Sequence, residues 1–477
     1  ALQKIRKEYA GKSNERNNKI REIETVYEEH KPIDIEYDVY SQICSPNNYS
    51  SFDKLYKNFS ENKDVFGKLL LEVLKYYNAE SSYNAKSFDK DTKGKTFEKN
   101  ITATQLYNPS QGQGVNKLKA DGLNRMNFKP SWITETMKIS GALSDMICQL
   151  VKVGNAYDLK LFVPEYKQVN FAFKAKLIPD LKKYLKGNTP IKIDILYALL
   201  LTQKIIEHDE FSGKRKKIKD IVSGLHSVYQ KDMGQNKAVM NISFVQIPNF
   251  IEINNKDENQ KWIEILEEQG RIIGSMDENK GAIQGLMKYR NFISASKIDS
   301  FFDFSFWYAI YLSSKLSNKQ YAIAFSIESL NKLYSSMDKP NLKLMEIIEN
   351  RGFQAVTKAI RMSTVSLQYT PKDKRRFEIR YGVAQTLQTK SKSSEDLATF
   401  IGEFISMYNA ETARCMEKNG NPLRANVRMD ELCEFYALLD KYPSCLVGAL
   451  LASYGFALQA KENNNENDNF KETIVEE

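Results

Sequence analysis

Histidine, the side chain that most readily does acid–base and metal chemistry near neutral pH, is rare in this sequence, whereas carboxylates are plentiful but show no sign of which of them converge. Its three histidines are His30, His208 and His226, and His208-Asp209 forms an H-D pair. An HD-type metal-dependent nuclease uses such a pair with further His and Asp ligands that converge on its metal ions. Only His30 precedes the pair, which favours the interpretation of Glu207-His208-Asp209-Glu210 as a solvated helix end. The nuclease is retained as one alternative function.

Motifs of common nucleotide and hydrolase chemistry do not occur in the sequence. H-E-x-x-H, Walker A, G-x-S-x-G and Gly-Gly-Asp-Asp patterns are missing. Gly112-Gln113-Gly114 looks like part of a phosphate-binding loop, but it has no third glycine and no clear preceding strand. The five cysteines include no C-x-x-C pair, which argues against a zinc knuckle. We therefore expect a protein that is not an enzyme and needs no cofactor or metal.

A first group of basic and amide side chains surrounds a glycine-rich turn. It comprises Gln111, Asn116, Lys117, Lys119, Arg125 and Lys129. Asn124, Asn127, Phe128 and Trp132 lie among or beside them, and such donors, amides and rings fit contacts to nucleic-acid backbone and bases. An ordered surface loop anchored by Phe128 and Trp132 is the alternative interpretation.

Two further basic groups follow along the chain. The second is Lys214, Arg215, Lys216 and Lys217, which follows Ser212-Gly213 and is predicted to be a loop that enters a helix. The third is Arg361, Lys374, Arg375, Arg376 and Arg380, near Tyr369 and at a turn between helices. Arginines near aromatic residues suit a path for single-stranded nucleic acid. A solvated surface is the alternative for the second group, and ordinary surface charge or an interface with another protein is the alternative for the third.

The overall charge agrees with a polyanionic partner. The chain carries a net charge of +9, and a basic surface of this size attracts nucleic acid. It is also rich in Lys, Asn, Ile and Tyr, so the codon bias of an AT-rich genome is a competing explanation. Hydrophobic residues make up 42% of the chain, enough to build cores, so we do not expect a disordered protein.

Hydrophobic periodicity predicts an α+β, mostly helical fold, with a mixed N-terminal and central region that is followed by a C-terminal four-helix bundle. Alternation over Val169–Leu177 and Ala238–Ile247 predicts two strands, and Ile191–Ile206 an apolar helix. Bundle helices are predicted over Ile347–Gln368, from Ser394 as cap, from Asp430 as cap, and up to about Ala460. The spacing of Leu397, Phe400, Ile401, Phe404, Ile405 and Tyr408 marks the buried side of the second helix.

These elements divide the chain into four predicted parts. They are a mostly helical region of uncertain role (1–100), a mixed α/β body (101–345), the helical bundle (346–460) and an acidic disordered tail (461–477). The sequence has no signal peptide and no apolar run long enough for a transmembrane helix. We therefore expect a soluble, cytoplasmic protein with reduced cysteines, of which Cys433 and Cys445 are predicted to be core residues.

Two sets of motifs resemble one protein family. The first is Asn108-Pro109-x-Gln111-Gly112-x-Gly114-x-Asn116, followed by Lys119-Ala120 and the Pro130-Ser131-Trp132 helix. The second is Ala359-Ile360-Arg361, Val365-Ser366-Leu367-Gln368-Tyr369, Ile379-Arg380-Tyr381-Gly382, Tyr408-Asn409-Ala410-Glu411 and Tyr454-Gly455. Together they resemble large subunits of type I CRISPR surveillance (Cascade) complexes, whose C-terminal bundle is similar to a separate small subunit. The resemblance covers about residues 100–460.

The resemblance implies a non-catalytic role in crRNA-guided antiviral defence. Its partners would be crRNA, target double-stranded DNA and its displaced strand, the backbone and other Cascade subunits, and a helicase–nuclease. The subunit would contribute to recognition of the protospacer-adjacent motif and to duplex opening. We expect the loop Gln111–Lys129 to contact guide RNA or the duplex motif, and Arg375, Arg376 and Arg380 to hold displaced DNA. An internal start near Met345 or Met362 would yield a separate small subunit.

A protein-only helical scaffold or adaptor is the main alternative to this interpretation. In that case the basic surface reflects codon bias, and association with DNA is weak and independent of salt. Binding that weakens with salt would instead favour a nucleic-acid partner.

Overall fold

A computed structural model of the chain describes residues 13–29, scattered positions from 53 to 74, 132–153, 156–182, 185, 189–208, 216–232, 237–253, 255–276, 278, 281–338, 342–420 and 424–458. The predicted loop Gln111–Lys129, the cations Lys214 and Arg215, and the tail 461–477 lie outside these residues. By its contacts the chain separates into two units, Ala1–Cys148 with Met233–Ala238, and Gln149–Asp232 with Val239–Glu477. The predicted boundaries near 100, 345 and 460 stay predictions.

The first unit contains two described helices of ordinary length. Helix α1 spans Ser13–Glu29 and α2 spans Trp132–Asp145. The described side chains of α1 are mostly exposed, in keeping with its charged sequence. Helix α2 confirms the helix that the Pro130-Ser131-Trp132 sequence predicts, and it ends at Asp145.

Strands cluster in the middle of the chain. They are β1 (Ile147–Val153), β2 (Ala156–Tyr166), β3 (Lys216–Lys217), β4 (Val222–Asp232), β5 (Lys237–Gln246) and β6 (Glu252–Ile253). Four of them form a sheet of order β1-β2-β4-β5, and β3 pairs with β6. In the antiparallel β2–β4 pair, Lys160 lies opposite Tyr229 and Phe162 opposite Ser227. The predicted strand Ala238–Ile247 is confirmed as β5, so the mostly helical α+β class holds.

The predicted strand Val169–Leu177 is wrong, because this segment forms helix α3, Phe171–Leu181. The Asn170 side chain accepts a hydrogen bond from the Phe173 amide at 2.7 Å and so caps the helix. Phe173, Leu177 and Leu181 recur every four residues and are fully buried, whereas Phe171 is 89% exposed. The apolar residues of this segment fit both the two-residue period of a strand and the period of a helix. The cap at Asn170 favours the helix.

Five described helices build the central core. They are α4 (Pro190–Glu207), α5 (Lys256–Ser275), α6 (Ile283–Ala295), α7 (Ile298–Ser317) and α8 (Ile327–Met337). Helix α4 confirms the predicted helix Ile191–Ile206 and begins with Pro190, whose fixed φ suits a first turn. Aromatic rings fill the space between α6, α7 and α8. Phe301 contacts Phe292 at 4.8 Å and Tyr334 at 5.7 Å between ring centroids. Burial of these large apolar rings is the main stabilising contribution here.

Seven described helices follow. They are α9 (Leu344–Ile348), α10 (Arg351–Ser363), α11 (Val365–Tyr369), α12 (Val383–Lys390), α13 (Ser394–Asn419), α14 (Met429–Lys441) and α15 (Ser444–Gly455). The segment Ile347–Gln368, which was predicted to be one helix, therefore belongs to three helices, α9, α10 and α11. Ser393 caps α13, one residue before the predicted Ser394. Arg428 occupies the N-cap position of α14, two residues before the predicted Asp430, and its amide donates to the Glu431 carboxylate. A four-helix bundle arrangement stays a prediction.

Helix α15 is apolar on all sides and lies within the packed helices. Every residue from Leu446 to Gly455 is buried, and α7, α10, α12, α13 and α14 pack against it. A helix that is hydrophobic all round needs such complete coverage. Among the described helices, none is both long and apolar enough to cross a membrane.

Two cysteines differ from the prediction that they belong to the core. Cys433 on α14 and Cys445 on α15 are both exposed. The buried side of α14 is formed by Phe435, Leu438 and Leu439, and position 433 falls outside that stripe of helical spacing. Cys445 lies in the first turn of α15, before its fully buried part.

Candidate nucleic-acid interface

The three predicted basic groups differ in how much of each the structure describes. Gln111, Asn116, Lys117, Lys119, Arg125 and Lys129 all lie outside the described residues, as do Lys214 and Arg215. Lys216 and Lys217 form strand β3, which a 3₁₀ turn and then β4 follow. The predicted helix after this second group is therefore wrong. The third group is described completely.

Lys217 lies on a cleft of about 530 Å³ in which acidic and basic groups are mixed. Its ammonium lies 3.8 Å from the carboxylate of Glu252, and Lys297 is a second cation on the wall. The carboxylates on the wall are those of Glu252, Asp299 and Asp338. Because they outnumber the lysines among the described lining residues, this cleft does not favour a phosphate.

Three arginines of the third group hold the chain itself together. Arg361 donates to the Tyr454 carbonyl at 2.8 Å. Arg375 donates to the carbonyls of Gln368 and Thr370 at 3.0 and 2.9 Å, where α11 ends. Its guanidinium thus satisfies carbonyl groups that a helix end leaves without intrahelical partners. The Arg380 guanidinium lies 3.7 Å from the Glu411 carboxylate.

The remaining two members of the third group face solvent. Lys374 and Arg376 are exposed, and their side chains form no hydrogen bond or ion pair with any residue that the structure describes. Lys372 is exposed on the same loop, which also carries the acidic residues Asp373 and Glu378. Cations therefore outnumber acids on the loop, and Lys374 and Arg376 are the members of the predicted group that are available to a partner.

Contacts to α13 hold this loop in one position. The Glu411 carboxylate accepts a hydrogen bond from the Glu378 amide at 2.9 Å. One turn further along α13, the Cys415 thiol lies 3.5 Å from the Arg376 carbonyl. Arg380 adds a 2.8 Å bond from its amide to the Ser363 carbonyl at the end of α10. The loop is thus attached to two helices through its main chain.

Arg424, which follows α13, is the buried centre of this attachment. Its guanidinium lies between the rings of Phe377 and Tyr408, 3.8 Å from each centroid. It also donates to the Thr412 hydroxyl at 2.8 Å, the Tyr408 carbonyl at 3.0 Å and the Glu411 carboxylate at 2.8 Å. With only 1% of its side chain exposed, Arg424 joins the loop to α13 by stacking and by charge-assisted bonds.

Two more cations lie on the side of α13 that meets the loop. Arg414 and Lys418 share the helical stripe of Glu411 and Cys415, and both are exposed. We call Lys374, Arg376, Arg414 and Lys418 the cationic ledge. Tyr381, on the same connection, is 61% exposed. Four exposed cations on a fixed loop and helix, with an exposed ring nearby, can contact phosphates and stack on a base.

His208 of the His208-Asp209 pair, on which the nuclease alternative depends, contacts a carboxylate of α3. His208 ends α4, and its Nε2 lies 3.0 Å from the Asp180 carboxylate of α3. Asp209 lies outside the described residues. Within the described part of the chain, no group of three or more His, Cys, Asp or Glu side chains is placed to hold a metal ion.

A buried ion network joins β2 to two helices and was not predicted. The Lys160 ammonium bonds the Asp194 carboxylate and donates to the Pro190 carbonyl at 3.0 Å. Arg290 of α6 lies 3.3 Å from the same carboxylate. Burial lowers the pKa of Lys160 and raises that of Asp194, against the attraction between them. The network fixes the packing of β2, α4 and α6.

Neither the known protein-family models nor the curated proteins contain a match to this chain.

Proposed function

We propose that this chain is a non-catalytic, nucleic-acid-binding large subunit of a crRNA-guided CRISPR interference complex. Its compartment would be the cytoplasm. It would contribute to recognition of the protospacer-adjacent motif and to duplex opening, and it would help to recruit a helicase–nuclease. The proposal draws on the resemblance of its motifs between residues 100 and 460 and on the net charge of +9.

The cationic ledge is the observation that carries the binding part of the proposal. Lys374 and Arg376 lie exposed on a loop that Glu411 and Arg424 hold in place. A fixed cation loses less conformational entropy on binding than one on a freely moving loop, so its contact with a phosphate costs less. The exposed ring of Tyr381 offers the stacking surface that unpaired bases use.

Such a surface suits a subunit of a complex in which guide RNA recognises the target sequence. Pairing between guide and target supplies most of the specificity, which leaves the protein to read a short motif and to hold backbone. Contacts to the nucleic-acid backbone and bases need cations and aromatic rings, and they need no general base. The ledge fits the displaced strand in particular, because its residues are spaced along a loop and a helix rather than around a closed pocket.

Binding of single-stranded DNA by the full chain at several salt concentrations tests the proposal. We expect the double variant Lys374→Gln/Arg376→Gln to bind more weakly by a similar factor for every sequence. The slope of log affinity against log salt should fall by about 0.7 for each phosphate that the variant no longer neutralises. Lys261→Gln, which removes an exposed lysine of α5, is the matched control and should bind as the natural chain does. A double variant with an unchanged slope contradicts the proposed ledge.

A protein-only scaffold remains the second candidate, because strand β5 exposes apolar side chains at the edge of the sheet. Met240 and Ile242 are 56% and 74% exposed. Exposed apolar surface on an edge strand is typical of a site that another protein covers. DNA association that is weak and independent of salt would favour this candidate over nucleic-acid binding.

A further inference from the structure

The outer edge of strand β5 has no partner strand within the described part of the chain. β5 is the last strand of the β1-β2-β4-β5 sheet, where β4 is its neighbour. Outside that ladder, the main chain of residues 239–244 forms no hydrogen bond with any described residue. An edge strand directs alternate pairs of N–H and C=O groups outward, where another strand can bond them. The edge is thus open to a further strand.

Side chains of β5 form an exposed apolar row on one face of the sheet. Phe244 lies beside His226 of β4, with 5.0 Å between ring centroids, and His226 is opposite Val163 of β2. Because side chains alternate between the two faces, Met240 and Ile242 share the face of Phe244. Their exposed fractions are 56% for Met240, 74% for Ile242 and 36% for Phe244. The row therefore extends this face to the edge of the sheet, where solvent meets apolar surface.

Strand β5 lacks the features that usually protect a free sheet edge. Such edges carry lysine, proline or an inward-pointing charge, and these prevent pairing with another chain. No charged residue occurs in the sequence between Lys237 and Glu252, and Pro248 follows the end of the strand. The sequence of β5 therefore permits pairing along its outer edge.

The apolar pattern of β5 is self-complementary. When two copies of the strand pair antiparallel about Ile242, this residue lies opposite its own counterpart, and Met240 lies opposite Phe244. Directly opposed side chains are on the same face, so the apolar rows of the two copies meet. The pairing brings no like charges together, because the strand has none between Ala238 and Gln246. A strand of another protein would need a matching apolar row, which a second copy supplies through the same residues.

We propose that strand β5 pairs antiparallel with strand β5 of a second copy of this chain. The two sheets then join into one continuous sheet with a two-fold axis at Ile242. Pairing occupies the β5 edge of both copies, so it stops at a dimer and does not extend into a fibre. The contact uses none of the residues of the cationic ledge, and the proposal does not depend on the proposed function.

The strength of such a dimer follows from its size. One pair of strands is a small contact compared with standard protein interfaces of roughly 1,200–2,000 Å². We therefore expect the dimer to dissociate in about the micromolar range.

Sedimentation velocity of the full chain across about 1–100 μM tests the proposal, because this range spans weak dissociation. The chain is first treated with nuclease, so that bound nucleic acid cannot bridge two copies. We expect the average mass to rise from that of one chain toward that of two. Ile242→Lys should weaken dimerisation by about tenfold or more, because it places like charges opposite each other. Met429→Lys, at a similarly exposed position of α14, is the matched control and should dimerise as the natural chain does.

A mixture of two charge variants tests the strand pairing itself. Ile242→Lys and Ile242→Glu should each dimerise poorly alone, because like charges meet at the two-fold axis. Their equimolar mixture should recover dimerisation, because opposite charges then face each other. Different fluorescent labels on the two variants report the mixed dimer by energy transfer.

Three results would overturn the proposed pairing. The first is a natural chain that stays monomeric across the whole range of concentration. The second is a dimer that Ile242→Lys leaves intact, since it must form through another surface. The third is a mixture of the two charge variants that does not recover dimerisation. Thermal melting checks that each variant is folded, as expected for a substitution at a side chain that is mostly exposed.

Discussion

Arg424 shows how a single buried cation can position a whole loop. Its guanidinium stacks between Phe377 and Tyr408 and bonds the carboxylate that also accepts the Glu378 amide. Burial raises the pKa of the Tyr408 hydroxyl, although the neighbouring Arg424 opposes the shift. The sequence pattern selected the cations of the loop and not Arg424, because an isolated arginine near a Gly-Asn-Pro turn has no local signature of burial.

We expect Arg424→Ala to destabilise the protein by about 3–5 kcal/mol, because it leaves the Glu411 carboxylate partly buried without its closest cation. It should also weaken binding of single-stranded DNA, although Arg424 itself is inaccessible. Urea denaturation and fluorescence anisotropy measure the two effects. Arg428→Ala removes a mostly exposed arginine four residues later and should change both only slightly. Equal effects of the two substitutions would refute the role given to Arg424.

Glu278 gives the stability a defined dependence on pH. Burial raises the pKa of its carboxyl to about 7 from an ordinary 4.5, against the attraction of Lys192 and Lys160 and with the repulsion of Asp194. The folded state therefore holds this proton more tightly than the unfolded state does. The contribution to stability is complete below pH 4.5 and is lost as the pH rises to about 7.

Glu278→Gln should remove this part of the pH dependence. The free energy of unfolding of the natural chain should fall relative to that of the variant between pH 4.5 and 7 and then stay level. Urea denaturation across this range makes the comparison, with Glu264→Gln on an exposed position of α5 as the control. Parallel curves for the natural chain and Glu278→Gln would show that the carboxyl titrates normally.

At the scale of elements, local signals predict helices well where caps and spacing agree. In α13, the predicted positions Leu397, Ile401, Phe404, Ile405 and Tyr408 are all buried, and Phe400 is half-buried. Gly420 ends the helix with a left-handed φ of 75°, as the Asn-Gly-Asn-Pro sequence indicates. The ends differ from prediction by one or two residues, because neighbouring polar residues compete for the cap.

Elements that depend on distant partners could not be predicted in the same way. Strands β2 and β4 are separated by more than fifty residues, so their pairing leaves no local pattern. Lys160 and Asp194 look like surface charges in the sequence, yet both are buried because each provides the other with a counterion. In α3, the sequence alternates as in a strand, but the Asn170 cap and tertiary packing stabilise a helix.

The contact between α10 and α14 depends on a glycine. A Cβ atom at Gly352 would lie 2.2 Å from the Glu431 carbonyl oxygen and 2.5 Å from the Phe435 nitrogen. We expect Gly352→Ala to destabilise the protein by about 1–3 kcal/mol through overpacking, despite the better helix propensity of alanine. Gly270→Ala on α5, where nothing lies within 4 Å, should be neutral or stabilising. Thermal melting distinguishes the two, and a stable Gly352→Ala protein would disprove the close approach.

Because the network is buried, we expect that removing one of its charged partners destabilises the protein more than removing both. Asp194→Ala should cost about 3–5 kcal/mol, because it leaves Lys160 buried without its main counterion. The apolar pair Lys160→Met/Asp194→Leu should recover much of that loss in chemical denaturation. A double variant less stable than Asp194→Ala would mean that the network contributes more than its charges.

For the whole molecule, two exposed surfaces suggest what it associates with. The cationic ledge suits a nucleic-acid backbone, and the edge strand β5 with Met240 and Ile242 suits another protein. A subunit of a ribonucleoprotein needs both kinds of surface, whereas a free-standing scaffold needs only the second. The two surfaces together are the reason to prefer an assembly that contains nucleic acid.

Co-purification shows whether the chain belongs to an assembly that contains RNA. The full chain would be tagged and expressed with the products of its neighbouring genes, and any RNA bound to the purified material would be extracted and sequenced. We expect several partner proteins and an RNA of uniform guide length to co-purify with the chain. A chain that purifies by itself and free of nucleic acid would contradict this expectation and would favour the protein-only scaffold.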